Sequence, residues 1–266
     1  MRRLETEDPY YDKTRCLVLD VSRVAEADKS ALLATEKFGK ISAVAPGAFK
    51  VGARLSSSIE PLRDVEIDIW RPAHHASKNG SMFGVATART AKNSIRIISA
   101  STVEPFGVFL KDKNKISAAF ECARIYDALT PYMEPDDGKG YFLLRRAFEL
   151  LAKCPSKKND DDVPTGLSPA LCHILITSSY ALRVLRLSGY DFCSKSRPSY
   201  PGSKNSSADG NLRDLASRIL LLSGESLIEN AFGNNGKDLY NDGGALVGKL
   251  FLSIKNYVDE IAQGKV

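Results

Sequence analysis

The hydrophobic period of this chain changes once, near Val103, and that change dictates a two-part fold. Before Val103, apolar residues come in short runs or alternate with polar ones. After it they recur every three to four residues. Period two belongs to strands and period 3.6 to helices. The expected fold class is α+β: a small closed β-barrel at residues 1–103, followed by a mostly α-helical part at 104–266. At 266 residues, each part is long enough to bury a core of its own.

Strands are expected at 16–21, 30–35, 40–45, 64–70, 82–88 and 94–99. In the run Asp64-Val-Glu-Ile-Asp-Ile-Trp70 the alternation is strict, which turns Val65, Ile67 and Ile69 inward. Glu36-Lys37-Phe38-Gly39 joins two strands by a tight turn whose Gly supplies positive φ. Helices are expected at 117–129, 141–154, 169–187, 212–222, 226–232 and 245–261. The third is apolar on nearly all sides and therefore central, and Ser188-Gly189 caps it. His173, Arg183 and Arg186 interrupt its apolar stretch, so no membrane span is expected. The segments 72–80 and 191–210 are rich in Ser, Gly, Asn or Pro and read as loops. Met1–Tyr11 carries Glu5, Glu7 and Asp8 without an apolar core, so no signal peptide is expected and a cytoplasmic location is.

Nearly all of the net charge of +5 falls before Val103. There the basic residues occupy two windows without acids. One, 37–59, holds Lys37, Lys40, Lys50 and Arg54; the other, 69–103, holds Arg71, Lys78, Arg89, Lys92 and Arg96. A small barrel with such windows suits a phosphate-binding surface, so these nine cations are the candidate nucleic-acid-binding residues, the other reading being solvated loops whose charges scatter in space. Phe49 and Trp70 are the candidate base-stacking aromatics. The alternative reading is a barrel-containing scaffold that binds only protein partners.

No constellation for catalysis occurs. Walker A, G-x-G-x-x-G, G-x-S-x-G and H-E-x-x-H motifs are all absent. The histidines are His74, His75 and His173, too few and too poorly placed for a metal centre. Cys16, Cys122, Cys154, Cys172 and Cys193 are odd in number and far apart in sequence, so reduced thiols are expected rather than disulfides or zinc ligands. Neither a metal nor any other cofactor is expected, and the chain reads as a binding protein rather than an enzyme.

One stretch goes further than composition. Leu17 to Ile67 contains Thr35-x-x-x-Gly-Lys-Ile-Ser-Ala-Val-Ala45-x-Gly-Ala48, then Arg54-Leu55, Pro61 and Glu66-Ile67. It resembles the N-terminal domain of the RecO family, bacterial mediators of DNA repair and recombination. Leu185-x-Leu187-Ser-Gly-Tyr190 is similar to the motif that precedes the family's zinc loop, but only Cys193 stands where many members have four cysteines. A degenerate, zinc-less loop near 191–210 is therefore expected. The resemblance implies an OB-fold barrel ahead of a helical domain. It further implies binding to single- and double-stranded DNA and to the C-terminal tail of single-strand-binding protein. Action with RecR, loading of RecA, strand annealing and a place at the bacterial nucleoid belong to the same implication. A partner tail that is acidic and ends in apolar residues needs a pocket rimmed by cations. Arg124, Arg145, Arg146, Arg183 and Arg186 are the available ones on the first three helices.

Overall fold

A computed structural model describes residues 10–71, 94–104, 106, 112–154, 169–193, 206–221 and 243–264. The chain divides into two compact units. One comprises 1–106 with 130–142, the other 107–129 with 143–266. The expected boundary at Val103 thus gives way to a more interleaved division, in which Thr130–Phe142 returns to the barrel.

The first unit holds β1 (Tyr10–Arg23), β2 (Lys29–Thr35), β3 (Gly39–Ala45), the short helix α1 (Arg54–Ser58), β4 (Asp64–Arg71) and β5 (Ile95–Glu104). They close into a barrel of order β1-β2-β3-β5-β4, with β4 returning to β1. This is the five-stranded OB topology. The expected segment 82–88 lies outside the described residues. β1 is 14 residues long and serves two neighbours: its first half pairs with β4 and its second with β2. A register shift between Val18 and Asp20 bends it between the two. The core is filled by the inward residues of every strand, among them Val18, Leu33, Ile41, Val65, Ile67, Ile69 and Ile97, as the alternation in β4 dictates.

Thr130–Phe142 docks on this barrel through backbone and side chain alike. Met133 N–H donates to the Lys40 carbonyl at 2.9 Å, and the Tyr141 hydroxyl donates to Asp64 Oδ1 at 3.0 Å. Gly39, with φ +64°, lets the Glu134 carbonyl oxygen approach to 2.2 Å of where a Cβ would sit. Here glycine is required twice, by the turn and by the close approach.

The second unit is built from α2 (Lys113–Leu129), most of α3 (Lys139–Lys153), α4 (Pro169–Leu187), α5 (Ser206–Leu221) and α6 (Gly243–Ala262). α2 begins a turn earlier than expected, because Asp112 Oδ1 accepts from the Asn114 and Lys115 N–H groups and caps it. α4 has the expected bounds and is central, packed against α2, α5 and α6. By length and composition its 170–187 stretch could cross a membrane, but two thirds of it is buried inside the protein, which makes it a core helix. It ends in a Schellman turn: Tyr190 N–H donates to the Leu185 carbonyl at 2.8 Å, with Gly189 at φ +85°. The expected loop 191–210 is shorter than the sequence suggests, since α5 starts at Ser206. Ser, Asp and Gly in its first turn mask the helix, because each is a weak helix former. The expected helix 226–232 lies outside the described residues.

Candidate nucleic-acid interface

The β3–α1 connection is a chain of tight turns. Lys50 N–H donates to the Gly47 carbonyl at 3.0 Å, and Ala53 N–H to the Lys50 carbonyl at 3.1 Å. Gly47 and Gly52 supply φ of +67° and +76°. Two bonds tie this loop to the β1–β2 turn: Gly47 N–H to Asp28 Oδ1 at 2.7 Å, and Phe49 N–H to the Ala27 carbonyl at 2.9 Å. Ala48 is buried between them. Its neighbour Phe49 is thereby held outward, 43% exposed.

Cations surround that ring. The Arg23 guanidinium lies 5.1 Å and Lys29 Nζ 5.2 Å from its centroid, both within cation–π range. Lys29 is a structural cation: it is buried, donates to the Ser56 and Ile59 carbonyls, and pairs with Glu60, so it fastens α1 to the hairpin. Arg23, Lys50 and Arg54 are exposed, and none of them forms an ion pair among the described residues. The loop and the elements that flank it thus present an exposed aromatic ring together with three exposed cations, Arg23 at the end of β1, Lys50 in the loop and Arg54 at the start of α1.

A second cluster lies where three strands run side by side. Tyr11, Trp70 and Arg96 are direct cross-strand partners on β1, β4 and β5, so their side chains share the outer face. Tyr11 is 72% exposed, and the Arg96 guanidinium lies 5.7 Å from the Trp70 ring. The next outward row is Lys13, Asp68 and Ser99, and the row after it Arg15, Glu66 and Ser101. Lys13 pairs with Glu66 at 2.8 Å, and that hydrogen bond raises the Lys13 pKa. Acidic side chains thus occupy the outer face of β4 beyond the Trp70 row and disfavour phosphate there.

The remaining sequence candidates divide. Lys37 and Arg71 both face Asp12, at 3.7 and 2.9 Å, and Arg71 also lies over Phe38 at 4.5 Å. The windows that lack acids along the chain are therefore not free of them in space. Lys40 is a correction: it is 4% exposed, and its ammonium sits 4.3 Å from the Tyr132 ring, because Thr130–Phe142 covers it. It is removed from the phosphate-facing set. Lys78, Arg89 and Lys92 lie outside the described residues. Two members of the clusters, Arg23 and Tyr11, escape a reading of the sequence. Arg23 is followed closely by Glu26 and Asp28, and Tyr11 precedes the apolar run that announces β1. The hairpin register, Arg23 opposite Lys29, is the signal that points to Arg23.

Four of the five helical cations already hold partners within the unit. Arg124 is held by Glu121 and Asp259 at 2.8 and 2.7 Å. Arg145 and Arg146 share Glu149, at 2.7 and 3.0 Å. Arg183 is half-buried, which lowers its pKa, and donates to the Ser179 carbonyl at 3.1 Å. Only Arg186 is exposed and free of ion pairs among the described residues. No group of three or more His, Cys, Asp or Glu is placed to hold a metal among the described residues.

Residues 10–78 match the family model described as recombination protein O N terminal. No curated protein matches the chain.

Proposed function

We propose, from a barrel whose residues 10–78 match the family model for the N-terminal domain of recombination protein O, that this chain binds DNA through the β3–α1 loop and the Tyr11–Trp70–Arg96 row. The family supplies mediators of DNA repair and recombination, with DNA and protein partners. The activity is one of binding rather than catalysis. The observation that carries this reading is the exposed Phe49 ring with the Arg23 guanidinium over it, on a loop whose neighbours Lys50 and Arg54 are exposed. Aromatic rings stack on bases of any sequence, and cations on a glycine-containing loop follow phosphates. Such a surface is sequence-blind. It screens the repulsion between two strands without sequestering their bases, which is what annealing demands.

The proposed ligands are single- and double-stranded DNA. The proposed protein partners are the C-terminal tail of single-strand-binding protein and RecR, with delivery of RecA onto the strand as the outcome. The helical unit is the proposed seat of the tail, with Arg186 as its open cation. The proposed place of action is the bacterial cytoplasm, at the nucleoid.

The test is the double substitution Lys50→Glu with Arg54→Glu. DNA affinity should fall across all sequences and its salt dependence should flatten, since each phosphate no longer held removes about 0.7 from the slope for a single strand. Stability should change by no more than about 0.5 kcal/mol, and tail-peptide binding should persist. Unchanged DNA affinity at low salt in the folded double variant would refute the assignment of the loop.

A further inference from the structure

Two thiols lie against each other in the helical unit. Cys154, just past the end of α3, and Cys172, in the first turn of α4, place their Sγ atoms 3.0 Å apart, and both side chains are buried. They are 18 positions apart in the chain, a spacing that suggests no motif. Beside them lies a second unusual group. Lys115, in the first turn of α2, is buried, and its ammonium donates to the Ala152 carbonyl at 3.1 Å. It forms no ion pair among the described residues. A buried ammonium without an ion pair favours an anion close by.

The four buried cysteines are not equivalent. Burial pushes the Cys16 thiol well up and the Cys122 thiol up to about 12, so both stay protonated and inert. Cys154 moves the other way. The hydrogen bond from Cys172 lowers it, and the Lys115 charge adds to that, against the opposing effect of burial. Cys172 is raised by the same hydrogen bond and by burial. The pair therefore contains one sulfur disposed to be a thiolate and one that holds its proton until needed.

We propose that Cys154 and Cys172 form a reversible dithiol–disulfide switch, which a peroxide closes across the junction between α3 and α4. The Cys154 thiolate attacks one peroxide oxygen. An S–O bond forms as the O–O bond breaks, and the departing oxygen takes up a proton and leaves as water. The Cys172 sulfur then displaces hydroxide from the resulting sulfenic acid. The S–S bond forms, the S–O bond breaks, and the Cys172 proton leaves with the hydroxide as a second water. The two thiols lose two electrons and the peroxide gains two. A dithiol reductant reverses the step by exchange. Closing the bond makes a loop of 155–171 and restricts the unfolded chain, so the helical unit is tighter when oxidised.

The test uses the full chain carrying Cys193→Ser, which removes the half-buried fifth thiol. Treatment with hydrogen peroxide should cost two thiols. Peptide mapping should find Cys154 joined to Cys172, and dithiothreitol should restore both. Adding Cys172→Ser should stop the reaction at a Cys154 sulfenic acid that dimedone captures, with Cys16 and Cys122 unlabelled. The proposal is overturned if both sulfurs stay reduced in the folded chain under peroxide that oxidises Cys193 in its parent. It is equally overturned if the mapped disulfide joins other cysteines, or if dimedone labels Cys16 and Cys122 as readily as Cys154.

Discussion

Asp12 Oδ2 lies 2.9 Å from Arg71 Nη2, and the other oxygen of the same carboxylate lies 3.7 Å from Lys37 Nζ. One acid thus occupies two of the cations that the sequence offers to DNA. Replacing Asp12 by Asn should remove the neutralising charge from beside both. DNA affinity at low salt is expected to rise severalfold, and the salt dependence to steepen by about 0.7 for each further phosphate of a single strand that the freed cations neutralise. Fluorescence anisotropy across a salt series reads both quantities. An affinity that stays level would place Lys37 and Arg71 away from the strand.

The exposed ring of Phe49 carries a different kind of energy. Phe49→Ala should weaken single-stranded DNA binding by about 1–3 kcal/mol, the usual worth of one stacked base, and leave the salt slope unchanged because no charge is lost. Phe49→Trp should retain binding. Thermal unfolding should barely move in either variant, since the ring contributes little to the barrel core.

Gly39 has no tolerance for a side chain. With φ +64° and the Glu134 carbonyl oxygen 2.2 Å from a prospective Cβ, Gly39→Ala adds left-handed strain to a clash with backbone. A loss of more than about 2 kcal/mol is expected in urea unfolding. The loss should be accompanied by release of Tyr132–Glu134 from the barrel, seen as faster amide exchange at Met133.

His173 makes the helical unit sensitive to mild acid. Burial lowers its pKa from the ordinary 6.5, with Asp112 opposing that and Lys115 adding to it, and neither ring nitrogen has a hydrogen-bond partner among the described residues. The folded state resists the proton and the unfolded state accepts it. The stability that neutral His173 confers is therefore complete above pH 6.5 and lost as pH falls through the lowered value. Denaturant midpoints measured between about pH 5 and pH 7 should decline toward acid in the wild type. In His173→Leu that decline should be shallower, because the buried imidazole that resists the proton in the folded state is gone.

The elements legible from sequence are those whose signals are local. α4 has its expected bounds because its apolar residues persist on every side and Gly189 ends it with positive φ. β4 alternates strictly, and Gly39 announces its own turn. The missed features depend on chain brought from far away. The first half of β1 is polar on its exposed side, and only β4, some fifty residues on, makes it a strand. Lys40 reads as a surface cation until Tyr132 covers it. Charge windows run along the chain, so Asp12 cannot enter them. Nothing in the spacing of Cys154 and Cys172 suggests that their sulfurs meet.

Because β1 serves two neighbours, the barrel has a definite order of completion during synthesis. β2 and β3 follow β1 directly, so the second half of β1 and its two antiparallel neighbours can zip together once Ala45 has left the ribosome. The first half, up to Leu17, must then wait for Asp64–Arg71. In that interval it is a bare edge, a template for the wrong partner. Its outward residues are the safeguard: Lys13 and Arg15 put charge along the waiting edge, which discourages pairing with another nascent copy until β4 arrives with Glu66 and Asp64 to meet them.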